Sequence, residues 1–296
     1  MSAAQIARVI SRDRRLAGMA LAAASYLLLA LQDATVKWLV ETLPVWQILF
    51  VRSVIVVIGC LAGGGQPLLR RALTTPVRPL LLRRGVVTLL AWLCFFTAAR
   101  DLPLGQLVTL WFTAPVIVAI LAGPLLGEHV SRTRWSAIGV GFLGALLVAN
   151  PTGLSVSGAA ALVLAGAVAW SYGMILTRQI ARHDSSLVQM LFNNGFFLVV
   201  TGIGSALTWH PPSVLEIVLL ALVAILGGFG QLSLFESVRR APASLVAPLE
   251  YTALIWAFVI GYAVWGDIPG AGVFLGAGLI LAAGVVLVIA ERRPSG

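Results

Sequence analysis

Three ionisable side chains, those of Asp33, Arg52 and Glu250, stand inside long apolar stretches of this sequence. A charged group is costly in apolar surroundings, so where one occurs it usually binds a ligand, carries a proton or forms an ion pair. Asp33 and Arg52 each lie a few residues from the same end of two neighbouring stretches. At 1.5 Å per helical residue both are roughly 8–9 Å deep, and this similar depth allows them to pair. Lys37, one helical turn from Asp33, is a competing partner.

The Asp33–Arg52 pair has two interpretations that the sequence does not separate. It is either a static ion pair that positions two helices, or a place where the charged groups of a zwitterionic substrate bind, with Asp33 able to carry a proton. Glu250 is similarly ambiguous. It follows Pro248 by two residues, and a proline leaves a nearby backbone carbonyl free, so the two could form a polar notch in a cavity. A glutamate that only holds helices together is the alternative.

Uncharged polar residues and aromatic residues also occur within or beside the apolar stretches. Amide side chains in such positions commonly form hydrogen bonds between helices. Large aromatic side chains with few polar anchors suit an amphipathic organic ligand, although packing or lipid contact explains part of them equally well. The candidate cavity residues are Gln32, Asp33, Arg52, Trp92, Trp111, Phe112, Trp170, Tyr172, Asn193, Asn194, Gln231, Glu250 and Tyr251.

The stretches that carry these residues are too apolar for a water-soluble domain. The chain is 59% hydrophobic and 10% charged, whereas a soluble domain has about 25% charged residues. A membrane-spanning helix needs about 20 mostly apolar residues, and ten stretches come close to this length. We therefore predict an all-α integral membrane protein with helices near residues 16–38, 45–62, 82–99, 103–126, 134–150, 157–178, 187–208, 216–237, 242–265 and 270–290.

The basic residues predict how these ten helices are oriented. Of the 20 basic residues, 17 lie on the side of the membrane that holds the N-terminus, while Lys37 and Arg100 lie on the other side and Arg52 lies within a stretch. Cytoplasmic loops are rich in Lys and Arg, so we predict that both termini are cytoplasmic and that the helix count is even. The loop between the second and third stretches supplies Arg70, Arg71, Arg78, Arg83 and Arg84.

A repeat of about 140 residues divides the chain, because Phe96–Glu128 aligns without gaps on Phe235–Asp267. We place the two units at residues 1–150 and 151–296, with five predicted helices in each. Five is odd, so the second unit enters the membrane upside down relative to the first. Inverted repeats are an architecture of secondary transporters, in which a site near the membrane midplane faces each side in turn.

The repeat units resemble the drug/metabolite transporter superfamily, EamA type, over essentially the whole chain. Each half has a helix that begins at a proline, then a Gly-Glu or Gly-Asp pair, then a glycine-rich last helix, and the stretch from Ala241 to Asp267 is the most specific one. The chain is similar to the YddG-like exporters of aromatic amino acids, although Asp267 replaces the more usual Glu of the family. The resemblance implies ten helices, a central cavity built from both halves and export of small metabolites, often amino acids.

From these observations we expect a secondary transporter of the inner (plasma) membrane that exports small organic metabolites by alternating access. Amino acids, including aromatic ones, are the expected substrates, and other metabolites or drugs are the alternative. The single lysine leaves no phosphate-binding loop for an ATP-driven pump. The sequence shows neither the converging catalytic groups of an intramembrane enzyme nor the charge ring of a channel. We expect no cofactor, no metal and no nucleic-acid partner; the partners are a small-molecule substrate and the lipid bilayer, and the protein is expected to be a monomer.

Overall fold

The computed structural model describes residues 3–114, 157–180, 183–240 and 252–292, with isolated positions between 117 and 147. Nine helices occupy these four ranges, which contain no strand. They are α1 (Ala3–Leu39), α2 (Val45–Thr74), α3 (Arg78–Ala98), α4 (Leu104–Trp111), α5 (Gly158–Ile180), α6 (Ser186–Thr208), α7 (Val214–Arg240), α8 (Thr252–Trp265) and α9 (Ala271–Arg292).

Six of the helices are long and apolar enough to cross a membrane, namely α1, α2, α3, α5, α6 and α7. They agree with six of the ten predicted stretches to within a few residues, except at the end of α2, at the start of α3 and at the start of α1. Helix α1 begins at Ala3, although its apolar part, Leu16–Leu39, agrees with the prediction. The predicted stretches 103–126, 134–150 and 242–265 lie partly or largely outside the described residues, so the count of ten stays a prediction. Helix α9 overlaps the last predicted stretch, 270–290.

The predicted loop after the second stretch is wrong, because α2 continues as far as Thr74. The helix bends instead of stopping. Gly65 takes a left-handed backbone conformation (φ 58°), which glycine adopts at little cost, and Pro67 cannot donate the hydrogen bond that would keep the helix straight. Beyond the bend, Ala72 and Leu68 pack against α6 side chains. Arg71 is therefore a helical residue, and its Nε lies 2.9 Å from the Asp184 carboxylate.

The predicted position of Arg84 in the same loop is also wrong. Helix α3 begins at Arg78, with a proline in its first turn, where the missing backbone donor costs nothing. Arg84 is therefore well inside the helix and only 4% exposed. Its neighbour Arg83 is exposed, because successive residues of a helix face different directions.

Helices from the two predicted halves pack against each other. The most extensive contacts among the described helices join α1 to α7, α2 to α6 and α3 to α5. Large side chains such as Phe96, Phe197 and Leu110 are fully buried where these helices meet. Other large apolar side chains, among them Ile58, Val199 and Ile203, are exposed on the outside. An apolar exterior of this kind is what a bilayer requires of the helices that face it.

Candidate functional site

Arg52 on α2 forms the centre of a polar group that we call the Arg52 site: Gln32, Asp33, Arg52 and Trp92. Its side chain is only 2% exposed. The Arg52 Nε donates a hydrogen bond of 3.3 Å to Gln32 Oε1, and Gln32 Nε2 donates one of 3.1 Å to Asp33 Oδ1. Gln32 therefore links the cation to the carboxylate. The guanidinium carbon also lies 5.1 Å from the centre of the Trp92 ring, within the range of a cation–π interaction.

Helix α7 closes the Arg52 site at Gly227. A Cβ atom added to Gly227 would lie 1.8 Å from Gln32 Oε1 and 3.0 Å from Arg52 Nε. Only a glycine lets the α7 backbone come this close. The neighbouring Gly228 is less constrained, since a Cβ there would meet Val56 at an ordinary 3.5 Å. The Arg52 site therefore has three sides from the first half of the chain and one from the second.

A cluster of aromatic rings adjoins the Arg52 site through Trp92. The Trp92 ring centre lies 6.2 Å from that of Trp170 on α5, and Trp170 lies 5.8 Å from Trp111 on α4. Phe95 and Phe96 complete the cluster, at 4.9 Å from Trp111 and 5.1 Å from Trp92. Edge-on ring pairs at these distances attract one another beyond simple burial. Three predicted aromatic residues are thus brought together beside the buried cation.

A second buried cation marks what we call the Arg84 site: Arg84, Thr88, Gln189 and Asn193. Arg84 Nη1 donates a long hydrogen bond of 3.5 Å to Gln189 Oε1 on α6. One turn further along α3, the Thr88 hydroxyl has more than one acceptor for its single proton, among them Arg84 O at 2.6 Å and Asn193 Oδ1 at 3.0 Å. The Arg84 guanidinium carbon lies 5.9 Å from the ring centre of Phe235 on α7. Both halves of the chain therefore contribute to this site as well.

Two further predicted amides have buried oxygens without a hydrogen-bond partner among the residues that the structure describes. Asn194 Nδ2 donates to Met190 O at 2.9 Å, but its Oδ1 accepts from nothing. Gln231 Oε1 on α7 is likewise buried and unpaired, one helical turn beyond Gly227. Because an unpaired polar atom is costly when it is buried, both oxygens are candidates to accept a hydrogen bond from a ligand or a water.

The remaining predicted residues lie elsewhere. Phe112 is buried in the main hydrophobic core, and Tyr172 packs against Leu81, Leu176 and Ile180 instead of joining the aromatic cluster. Lys37 does not compete for Asp33. Its Nζ donates to Leu102 O at 2.8 Å and to Ala99 O at 3.3 Å and lies over the Trp265 ring. Glu250 and Tyr251 fall outside the described residues.

Three residues of the Arg84 site are absent from the candidates predicted from the sequence: Arg84, Thr88 and Gln189. Gly227 could be anticipated, because it is one of the glycines before Gln231 that let the backbone line a cavity. The sequence predicts Arg84 as one of several basic residues in a loop beside the membrane. The available signal was the four-residue spacing of Arg84, Thr88 and Trp92, which places all three on one face of a helix. In the part of the chain that the structure describes, no three His, Cys, Asp or Glu side chains are grouped so as to hold a metal ion.

Comparison with known proteins agrees with the family resemblance seen in the sequence. A model of the EamA-like transporter family matches residues 16–150 and again residues 157–290. The pseudopaline exporter of Pseudomonas aeruginosa is 28% identical over 263 residues, which cover 86% of this chain and 89% of that protein. The riboflavin transporter of Vibrio cholerae is 25% identical over 195 residues, 64% of either chain. A crystal structure of a protein at 17% identity covers 96% of this chain and 99% of its own, with a TM-score of 0.66, and shows the fold alone.

Proposed function

This chain belongs to the EamA-like transporter family, and from that premise we propose that it is a secondary transporter that exports small organic metabolites by alternating access. It is a multi-pass membrane protein with six apolar helices long enough to span a bilayer. The observation that carries the proposal is the Arg52 site. A buried cation with polar partners and aromatic rings lies where helices of the two halves meet, and ionisable groups at such a depth commonly mark a substrate pathway.

The proposed architecture is two inverted five-helix halves, at residues 1–150 and 151–296, in the inner membrane with both termini cytoplasmic. Two findings support it. The family model matches twice, and the helix pairing has the symmetry that such a repeat requires. An offset of about 140 residues carries α1 onto α5, α2 onto α6 and α3 onto α7. The α1–α7 pair then corresponds to the α5–α3 pair, and the α2–α6 pair corresponds to itself.

The proposed mechanism follows from which half supplies each part of the Arg52 site. Gln32, Arg52 and Trp92 come from the first half, whereas Gly227 and Trp170 come from the second. When one half rocks against the other, the α7 backbone moves away from the Gln32–Arg52 hydrogen bond and Trp170 moves relative to Trp92. The site then opens toward one side of the membrane while contacts between the halves close it on the other.

The proposed substrate class is a small metabolite that carries a carboxylate, with amino acids, aromatic ones among them, as the first candidates. The Arg52 guanidinium suits a carboxylate because charge-assisted hydrogen bonds are the strong ones. Asp33 suits an ammonium group or a proton, and the ring cluster suits an apolar side chain. The relatives are named for pseudopaline and riboflavin, so they do not narrow the class to amino acids. Other metabolites and drugs stay the alternative.

The proposal is tested by reconstituting the purified protein in proteoliposomes and measuring the flux of labelled amino acids and other metabolites. We expect at least one compound to show saturable flux that is absent from protein-free vesicles. Imposing a pH gradient shows whether protons drive the flux. No saturable flux for any compound in a broad panel would contradict the proposed function. Reporter fusions test the orientation separately, and an extracellular C-terminus would overturn it.

A further inference from the structure

Arg84 is a buried cation with no acidic partner among the described residues. Its side chain is 4% exposed, yet the only hydrogen bond it makes there is the long one to the neutral Gln189. Its Nε is buried and has no acceptor among those residues either. A guanidinium offers five N–H donors, so most of its capacity is unused. A buried charge without an opposite charge is costly, which makes a purely structural role a poor explanation.

Arg52, whose side chain also makes a single hydrogen bond among the described residues, differs in lying near a carboxylate. It is buried to the same degree, but its Nε has an acceptor, and Gln32 connects it to the carboxylate of Asp33. The acceptors near Arg84 are amide oxygens instead, and Phe235 supplies a ring at 5.9 Å. What Arg84 lacks among the described residues is an anion. An anion bound there would lie beside α3, α6 and α7.

We propose that Arg84 and Gln189 form a second anion-binding subsite, which takes the carboxylate of the substrate at the opposite end of the pathway from Arg52. This inference rests on the proposed transport function. Arg84 lies six residues after the start of α3, and Trp92 lies two turns further on, about 12 Å along the helix axis. Thr88 lies between them. One face of α3 therefore runs from the Arg84 site to the ring cluster that adjoins the Arg52 site.

Under the proposed orientation, the Arg84 site lies toward the cytoplasm and the Arg52 site toward the outside. A carboxylate that arrives from the cytoplasm meets Arg84 first, exchanges its water for the guanidinium, and is passed along α3 to Arg52. Two cations at the two ends suit a carrier, because each holds the anion in one of the two open states. The same arrangement disfavours substrates without a negative group, because they leave the Arg84 guanidinium without an anion.

Chemical modification of Arg84 tests this subsite directly in the full-length protein. Phenylglyoxal reacts with accessible arginines, and mass spectrometry identifies the modified position. We expect slow modification of Arg84 in proteoliposomes as the pathway opens, and at least roughly a fivefold slower rate with saturating benzoate or phenylalanine. Benzamide and phenylalaninamide, which lack the carboxylate, should protect far less. The exposed Arg83 should react quickly and without protection. Arg84 that stays unmodified while Arg83 reacts, or that is protected equally by the amides, overturns the proposal.

Matched variants separate this subsite from the proposed transport function. Loss of a charge-assisted hydrogen bond predicts that Arg84→Gln raises the half-saturation concentration of a carboxylate substrate at least roughly tenfold. Arg83→Gln should leave it unchanged, and Arg84→Lys should recover most of the loss because it restores the charge. If Arg84→Gln shows saturable flux with an unchanged half-saturation concentration, the subsite is refuted and the proposed transport function is retained. Protection of Arg84 by carboxylates without saturable flux of any compound would refute the transporter and keep the binding site.

Discussion

The Arg52 site and the Arg84 site are alike in burial and differ in their partners. Each holds a buried arginine against an aromatic ring, and each is shared between the two halves of the chain. Arg52 belongs to a connected network that includes a carboxylate, whereas Arg84 has one long hydrogen bond to a neutral amide. The comparison indicates that the two sites have different roles. The Arg52 site is organised in advance, and the Arg84 site is incomplete until an anion arrives.

Substituting Arg52 by Gln should have the largest effect on transport. The change leaves the partly buried Asp33 without a cation nearby and removes the proposed carboxylate partner. Breaking a fully buried pair costs about 3–5 kcal/mol, which is an upper bound here. We expect saturable flux to fall at least roughly a hundredfold, more than for Arg84→Gln, as measured in proteoliposomes with equal protein content. If the two variants lost activity equally, the distinction between the organised site and the incomplete site would fail.

Replacing Trp111 or Trp170 by Ala tests whether the ring cluster beside Trp92 lines the pathway. Removal of a large aromatic anchor typically weakens binding by about 2 kcal/mol, or roughly 30-fold. We expect that increase in the half-saturation concentration for an aromatic substrate. Trp209, which is exposed at the end of α6, provides the control, and Trp209→Ala should change nothing. Unchanged constants in both cluster variants would show that these rings serve packing alone.

The substitution Gly227→Ala tests the role of the hydrogen bond between Gln32 and Arg52. The added methyl group overlaps Gln32 Oε1, and the flexible amide must swing away from Arg52. We expect about a tenfold drop in flux, the usual value of a hydrogen bond to a charged group, with little change in melting temperature. The adjacent Gly228→Ala is the matched control, since a Cβ there meets only an ordinary contact. Equal effects of the two variants would mean that helix packing, and not the Gln32–Arg52 bond, is responsible.

Thr88→Val should have the smallest effect. It keeps the shape of the side chain but removes the 3.0 Å contact with Asn193 as well as the hydrogen bond to Arg84 O in its own helix. The contact with Asn193 is worth about 1 kcal/mol, or roughly fivefold. The loss should appear as a weaker apparent affinity for carboxylates. Thr208→Val removes a threonine that bonds only to its own helix, at Gly204 O, and should leave the affinity unchanged. A larger loss for Thr88→Val than for Arg84→Gln would reverse the proposed ranking within the Arg84 site.

Much of the fold could be predicted because the bilayer requires long apolar helices, and these are visible in the sequence. Contacts within one helix are also predictable, because they depend on the spacing of residues along the helix. Glu236 and Arg240, four residues apart on one helix, form an ion pair at 3.3 Å, as the spacing of a helix allows. Arg84 was not predictable from charge alone. Its neighbour Arg83 has the same residue type, and which of the two turns inward depends on how α3 packs against α5 and α6.

The partners of the candidate residues were harder to predict, because they depend on how distant helices pack. The sequence allowed Asp33 to pair with Arg52 or with Lys37. In the structure Gln32 links Asp33 to Arg52, and Lys37 turns to the carbonyls of Ala99 and Leu102. These contacts join residues up to 65 positions apart. Helical periodicity predicts which residues share a face of one helix. It does not predict which other helix packs against that face.

Counterflow in proteoliposomes tests the central claim, that one site serves both sides of the membrane in turn, most directly. Vesicles are loaded with a high concentration of an unlabelled compound that shows saturable flux, and a trace of the labelled compound is added outside. An alternating-access carrier should accumulate the label transiently above its equilibrium level, and Arg52→Gln should abolish that overshoot. Uptake that rises only to equilibrium, without any overshoot and at the same rate in empty vesicles, would contradict alternating access and indicate a channel-like pore.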